Sequence, residues 1–195
     1  LIEISANFPG HFNHRTPRWL NEVARLVTQH LYDSWLMYHL GEINRWAMAD
    51  RDLTVQFDRI IDHVREIFMA SSARLFLQDP VQTRIFRSVG YAGTPWPNGS
   101  IWDEFNLEDE FSPIWRAIKD VRAGRHQNFC SSAFAQFNAD RGNWGANDFV
   151  KSGYNGFLVL PLFNNNDECF ACIVVLSMED GVFDEISWSP IASTL

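Results

Sequence analysis

Apolar residues recur every three or four positions along two long stretches near the start of the chain, and from about residue 73 the period changes to two. In "TPRWLNEVARLVTQHLYDSWLMYHLGEINRWAMA" the residues Leu20, Val23, Val27, Leu31, Trp35 and Tyr38 form one stripe. Thr16 serves as N-cap and Pro17 takes the first helical position, where its missing amide costs nothing, so a helix is predicted over 16–48 with Gly41 as the point where it kinks or divides. Residues 1–15 show no period and read as an irregular lead-in. "DLTVQFDRIIDHVREIFMAS" is the most regular segment. Leu53, Phe57, Ile60, Ile61, Val64, Ile67 and Phe68 lie on one helical face, Asp58, Arg59, Asp62, Arg65 and Glu66 lie on the other, and Asp52 or Thr54 can cap the start.

After this helix "ARLFLQD" (73–79) and "TRIFRSVGYAG" (83–93) alternate as short strands on either side of Asp79 and Pro80, an antiparallel pair. "FSPIWRAIKDVRAG" returns to helical spacing with Ile114, Trp115, Ile118 and Val121 inward and Gly124 as its stop. "RHQNFC" is a short strand candidate, and residues 131–156, rich in Asn, Gly, Ser and rings, read as long loops. "GFLVLPLF" and "CFACIVVLS" flank Asn164, Asn165, Asn166 and Asp167, whose side chains favour turns and tolerate positive φ; this predicts a hairpin at the sheet centre.

The composition narrows what such a chain does. At 195 residues it suits one core with an extension, 46% of residues are hydrophobic, and no apolar run reaches the roughly 20 residues that cross a bilayer. The net charge of −8, from 16 basic and 24 acidic side chains, creates a field that repels phosphate backbones and anionic headgroups, so neither nucleic acid nor a membrane is the expected partner. Three cysteines are an odd number, which favours a reducing, cytoplasmic setting. The start at Leu1 and the end close after "WSPIAST" suggest a segment of a longer protein.

Cys169 and Cys172 have Cys-x-x-Cys spacing, but inside a strand. Alternation sends residues three apart to opposite faces, so the pair is expected not to converge, and both cysteines, like Cys130, read as small buried hydrophobes with no metal or dithiol role.

The order of elements resembles a GAF domain. "DRDLTVQFDRIIDHVREIFMASSARLFLQDP", "RIFRSVGYAG", "IWRAIKDVRAGR" and "SGYNGFLVLPLFNNNDECFACIVVLSMEDGVFDEIS" carry the likeness, over about residues 50–195, and residues 16–48 resemble the signalling helix that commonly precedes such domains. PAS is the nearest confusable fold, but it usually begins with strands. The resemblance implies an α+β fold with an antiparallel sheet of about six strands, flanking helices, and a ligand pocket between the sheet and the loops of the middle segment. It also implies two parts, a lead-in with a dimerisation helix (1–48) and a sensory domain (49–195).

Cyclic-nucleotide-binding members carry Asn-Lys after the last strand and Phe-x-x-x-Asp-Glu at the final helix; here those places hold Ser177, Met178, Ser187 and Trp188. The Cys-His of bilin-binding members is missing from "SSAFAQFNADRG", and "DECF" falls in the closing hairpin. Haem-binding members have a His shortly before "SGYNGFLVLPL", whereas residues 140–156 contain none. The cofactor is therefore left unknown.

The ligand-contact candidates are Trp102, Phe105, Trp115, His126, Asn128, Trp144 and Asn147. His126 offers an imidazole to an anion or a metal, or is simply satisfied by backbone; the rings suit a planar ligand or else fill the core under the loops. The acidic run "WDEFNLEDE" is either a cation site or a solvated face. No phosphate loop, nucleophile elbow or ordered ligand set is present in the sequence. The expectation is a non-catalytic, small-molecule-sensing GAF module of a cytoplasmic signalling protein, such as a histidine kinase, a nucleotide cyclase or a transcriptional regulator, paired as a homodimer through its N-terminal helix. A ligand-free dimerisation module and a thiol enzyme of the free methionine sulfoxide reductase kind are the alternatives.

Overall fold

In the computed structural model, residues 16–49, 52–96, 103–106, 113–123, 130–133, 146–180 and 182–183 are described. The chain falls into two units, Leu1–Gly41 and Glu42–Leu195. Helix α1 (Thr16–Ala47) is continuous through Gly41, so it is not divided there. Within the first unit, Glu22 and Arg25 pair at 2.7 Å and Gln29 donates to Asp33 at 2.8 Å, the i,i+3 and i,i+4 contacts of a solvated helix surface.

The second unit is built on a six-stranded antiparallel sheet in the order β3-β2-β1-β6-β5-β4. Its strands are β1 (Ser72–Gln78), β2 (Ile85–Gly93), β3 (Glu104–Asn106), β4 (Cys130–Ala133), β5 (Gly156–Phe163) and β6 (Cys169–Ser177). Among the described residues, three helices belong with it: α2 (Leu53–Ile67), α3 (Pro113–Arg122) and the short α4 (Ala146–Lys151). Asp52 caps α2, its carboxylate accepting from the amides of Thr54 at 2.8 Å and Val55 at 3.4 Å. Ile61, Val64, Ile67 and Phe68 are buried as their spacing predicts, each side chain contributing about 1.5–3 kcal/mol, whereas Leu53, in the first turn, is 64% exposed.

Helix α2 packs on β1 and β2, and the approach is close. A Cβ placed on Gly90 would lie 2.9 Å from Phe57 Cβ, so only glycine lets the helix sit at this distance. Gly93 is also obligatory, with φ of +92° and the Ser71 carbonyl 2.3 Å from where a Cβ would stand.

The two hairpins are held by their turn residues. After β1, Asp79 Oδ1 accepts from the amides of Val81 and Gln82, both at 2.8 Å, and its Oδ2 takes Arg87 Nε at 2.8 Å. Between β5 and β6, Asn164 Oδ1 accepts from the amides of Asn166 at 2.8 Å and Glu168 at 3.0 Å, and Asp167 adopts φ of +58°.

Two features of the ladder depart from simple alternation. In β2 the pairing passes from Leu75↔Gly90 to Phe76↔Ser88, leaving Val89 as an extra residue. In β6 it passes from Leu162↔Ala171 to Phe163↔Cys169, leaving Phe170 extra. Residues directly opposite one another share a face. Cys172 lies opposite Pro161 and Cys169 opposite Phe163, two residues apart on β5, so the bulge turns both sulfurs to the same face. The expectation that they look away from each other is corrected. Both are free and buried, as expected of small hydrophobes.

The middle of the chain also holds more regular structure than its sequence pattern suggests. The acidic run contains β3, the presumed loops of 131–156 contain α4 and all but the first residue of β4, and β4 begins where "RHQNFC" ends.

Candidate functional site

Strand pairing divides the sheet into two faces of different chemistry. Toward α2 lie Ala73, Leu75, Ala92 and their aliphatic continuation Leu158, Leu160, Ile173 and Val175, all buried. The opposite face carries Phe76, Phe86, Phe105 and Phe157 in one cluster with Trp96, Phe149 and Tyr154. Phe86 stacks on Phe105 at 4.9 Å, Phe76 meets Phe105 edge-on at 5.2 Å, and Trp96 meets Phe149 edge-on at 5.4 Å.

Set among these rings is a polar group. Ser72, Arg74 and Phe76 occupy alternate positions of β1 and so share the aromatic face, and Tyr91 stands directly opposite Arg74. The Val89 bulge makes this possible: Phe86 and Tyr91, five apart, would face opposite ways in a regular strand. The Arg74 guanidinium lies 4.6 Å from the Trp96 ring centre and 5.2 Å from that of Tyr91. Its Nη1 donates to Asp103 Oδ1 at 3.0 Å, with the Arg74 side chain 9% exposed and that of Asp103 64% exposed.

Hydrogen bonds lock the surroundings. Trp96 Nε1 donates to Ser72 Oγ at 2.7 Å, Tyr154 Oη to the Thr94 carbonyl at 3.0 Å, and Tyr91 Oη to the Gly93 carbonyl at 2.6 Å. The Ser88 amide holds the Asp103 carbonyl at 2.7 Å. Burial lowers the Arg74 pKa from its ordinary value while Asp103 works in the other direction, and burial raises the phenols of Tyr91 and Tyr154. An arginine remains charged under these conditions, so the face holds a fixed cation between two rings, able to receive a carboxylate or a phosphate.

The sequence candidates are distributed unevenly around this group. Phe105 is in the aromatic cluster. Trp115 lies on α3, where Lys119 Nζ sits 4.5 Å above its ring, beside an open hollow of about 420 Å³. A second hollow of about 430 Å³ is lined by Val121, Arg122, Phe163 and Asp167, with Arg122 Nη2 donating to the Asp167 carbonyl at 2.9 Å. Asn147 belongs to α4, and its side chain is not among those described. Trp102, His126, Asn128 and Trp144 lie outside the described residues. Two carboxylates of the acidic run are held by arginines, Asp103 by Arg74 and Glu104 by Arg87 at 2.7 Å.

Sequence reasoning passed over Ser72, Arg74, Tyr91 and Tyr154. A signal was available for Arg74, which falls in phase with Phe76 on β1. Burial pushes the Cys169 thiol up to about 11 and Cys172 well above its usual range, the neighbouring Cys169 adding to the latter, so neither is a ready thiolate.

No protein-family model and no curated protein matches the chain. Solved structures do. The GAF domain of a phosphoenolpyruvate-protein phosphotransferase from Coxiella burnetii superposes with a TM-score of 0.58 at 16% identity, over 84% of this chain and 87% of that one. Free methionine-R-sulfoxide reductase from Neisseria meningitidis, in complex with its substrate, gives 0.57 at 13% identity, covering 84% of this chain and 83% of its own. The phycoerythrobilin-bound GAF domain of a cyanobacterial phytochrome gives 0.54 at 13% identity, covering 84% and 89%. The fold is GAF-like, α+β with a long N-terminal helix, as the sequence resemblance implies. Among the described residues no helix is long and apolar enough to cross a membrane.

Proposed function

We propose that residues 49–195 form a non-catalytic regulatory module that senses a small molecule, within a larger cytoplasmic signal-transduction protein such as a histidine kinase, a nucleotide cyclase or a transcriptional regulator. The observation that carries this reading is the charged group on the aromatic face. A buried cation stabilises a core no better than a well-packed apolar side chain, so its presence on the face where the resemblance implies a pocket argues for recognition. Residues 1–48 supply the pairing helix of a homodimer in this reading. Val27, Leu31 and Tyr38 support it, being spaced along one stripe of α1 and 39%, 63% and 60% exposed. The test is thermal melting of the chain against a library of small metabolites: a binder raises the midpoint with its concentration by mass action, and a library without effect on the midpoint overturns the sensing role.

A ligand-free dimerisation module is the second reading. It is favoured by the density of the chain's own rings on the same face, where Phe86, Phe105, Phe76, Trp96 and Phe149 follow one another ring to ring. It requires a concentration-dependent dimer in sedimentation that Leu31→Asp with Tyr38→Asp dissociates, and a melting midpoint indifferent to every metabolite. A thiol-enzyme reading draws on the Neisseria reductase and rests on Cys130, since Cys169 and Cys172 are buried with raised pKa values. Sulfoxide reduction that survives Cys130→Ser would remove it.

A further inference from the structure

Arg74 and Asp103 form an ion pair of unequal members. The guanidinium is buried between Tyr91 and Trp96 on a central strand, and its position is set by the β1–β2 ladder. The carboxylate is mostly exposed and precedes β3, a three-residue strand at the sheet edge. The Asp103 backbone is tied by the Ser88 amide, so its side chain can leave while the strand stays in place. Moving the carboxylate into water costs little because it is already largely hydrated, whereas the cation has no such route. A buried guanidinium keeps an anion beside it, but nothing requires that anion to be Asp103.

We propose that Arg74 is an oxyanion receptor, and that the carboxylate or phosphate of a small metabolite takes the position the Asp103 carboxylate occupies, its remaining atoms lying beside the partly buried ring of Tyr91. Asp103 is then an internal counter-ion that closes the site when the ligand is absent and lowers its apparent affinity. This deepens the sensing reading by naming the chemical class of ligand, and it rests on that reading only for its biological use.

The experiment removes the internal competitor and supplies external ones. Melting midpoints of the wild-type chain, Asp103→Ala, Arg74→Met and the double variant are measured in sodium acetate, sodium phosphate and sodium chloride at matched ionic strength. Asp103→Ala is expected to melt lower in chloride and to recover in acetate or phosphate, with half-recovery at a concentration at least tenfold below that for any wild-type response. Arg74→Met and the double variant are expected to show no difference between the salts. Recovery by acetate alone assigns a carboxylate ligand, and recovery by phosphate alone assigns a phosphate ester. Equal midpoints of Asp103→Ala in all three salts, or the same recovery in the double variant, overturn the proposal. Should Asp103→Ala not fold in chloride, the wild-type chain is followed by the Arg74 Nε–Hε resonance, which shifts saturably with acetate or phosphate if the receptor exists and is unmoved if it does not. A library metabolite whose stabilisation survives Arg74→Met keeps the sensing reading and sinks this one. A library without effect, beside an Asp103→Ala that recovers, does the reverse.

Discussion

The two faces of the sheet solve different problems with the same strands. Toward α2 the contacts are aliphatic and tight: Ile61, Val64 and Ile67 of the helix are fully buried, and at Gly90 the helix comes nearer than any Cβ would permit. The other face is made of rings, hydrogen-bonded hydroxyls and a cation, with Ser72, Tyr154 and Trp96 each satisfied by a specific partner. Aliphatic packing gives stability with little directionality. Directed polar contacts contribute less net stability but define positions, which is what recognition needs.

That contrast is open to direct attack. The largest effect is expected on the α2 face, where Ile67→Ala should lower unfolding free energy by about 2–5 kcal/mol in urea denaturation, through lost burial and the cavity left behind. Gly90→Ala should cost about 1–3 kcal/mol by forcing α2 away from β2. On the ring-lined face the order of two variants matters more than their size. Asp103→Ala takes one anion away from a buried cation and should cost about 1–2 kcal/mol after allowance for the exposure of the carboxylate, while Arg74→Met, which leaves a carboxylate free to hydrate, should change stability by less than about 1 kcal/mol. If Arg74→Met proves as damaging as Ile67→Ala, the two faces do not differ in the way described.

The smallest effect lies outside both faces. The Gln82 amide above all, then Arg87 and the Val81 amide, hold Asp79 down to about 2 from its ordinary 3.8. A carboxyl depressed in the folded state stabilises above its unfolded value and loses that contribution as pH falls toward the folded one. Stability should therefore gain an extra acid slope between about pH 4 and pH 2, and Asp79→Asn should flatten it in acid titration followed by circular dichroism.

Much of the architecture was readable because periodicity is a long-range average. Helix α2 and the β5–β6 hairpin each sustain one pattern over enough residues to be unambiguous, and Asn164 with Asp167 marks the turn. β3 has only Phe105 buried among its three residues and is too short for any period to register. Helix α4, at six residues, is equally brief. Of the candidate site, the aromatic character and Phe105 were legible. Arg74 was not singled out, because arginine on a strand ordinarily points to solvent and only its phase with Phe76 says otherwise. The bulges were illegible for another reason: Val89 and Phe170 are good strand formers, and an extra good strand former leaves no mark on composition.

Phe170 makes the geometry of β6 a matter of counting. Which side of the sheet Cys169 occupies is decided by the paired ladder positions that separate it from Cys172, and the unpaired Phe170 takes up none of them. Deleting that single residue would make Cys169 the immediate neighbour of Ala171 in a regular ladder, two positions from Cys172, and keep its thiol on the face that Cys172 shares. A strand without the additional residue is out of step with this one before Ala171, and an ungapped comparison of the two would pair side chains that face opposite sides of the sheet.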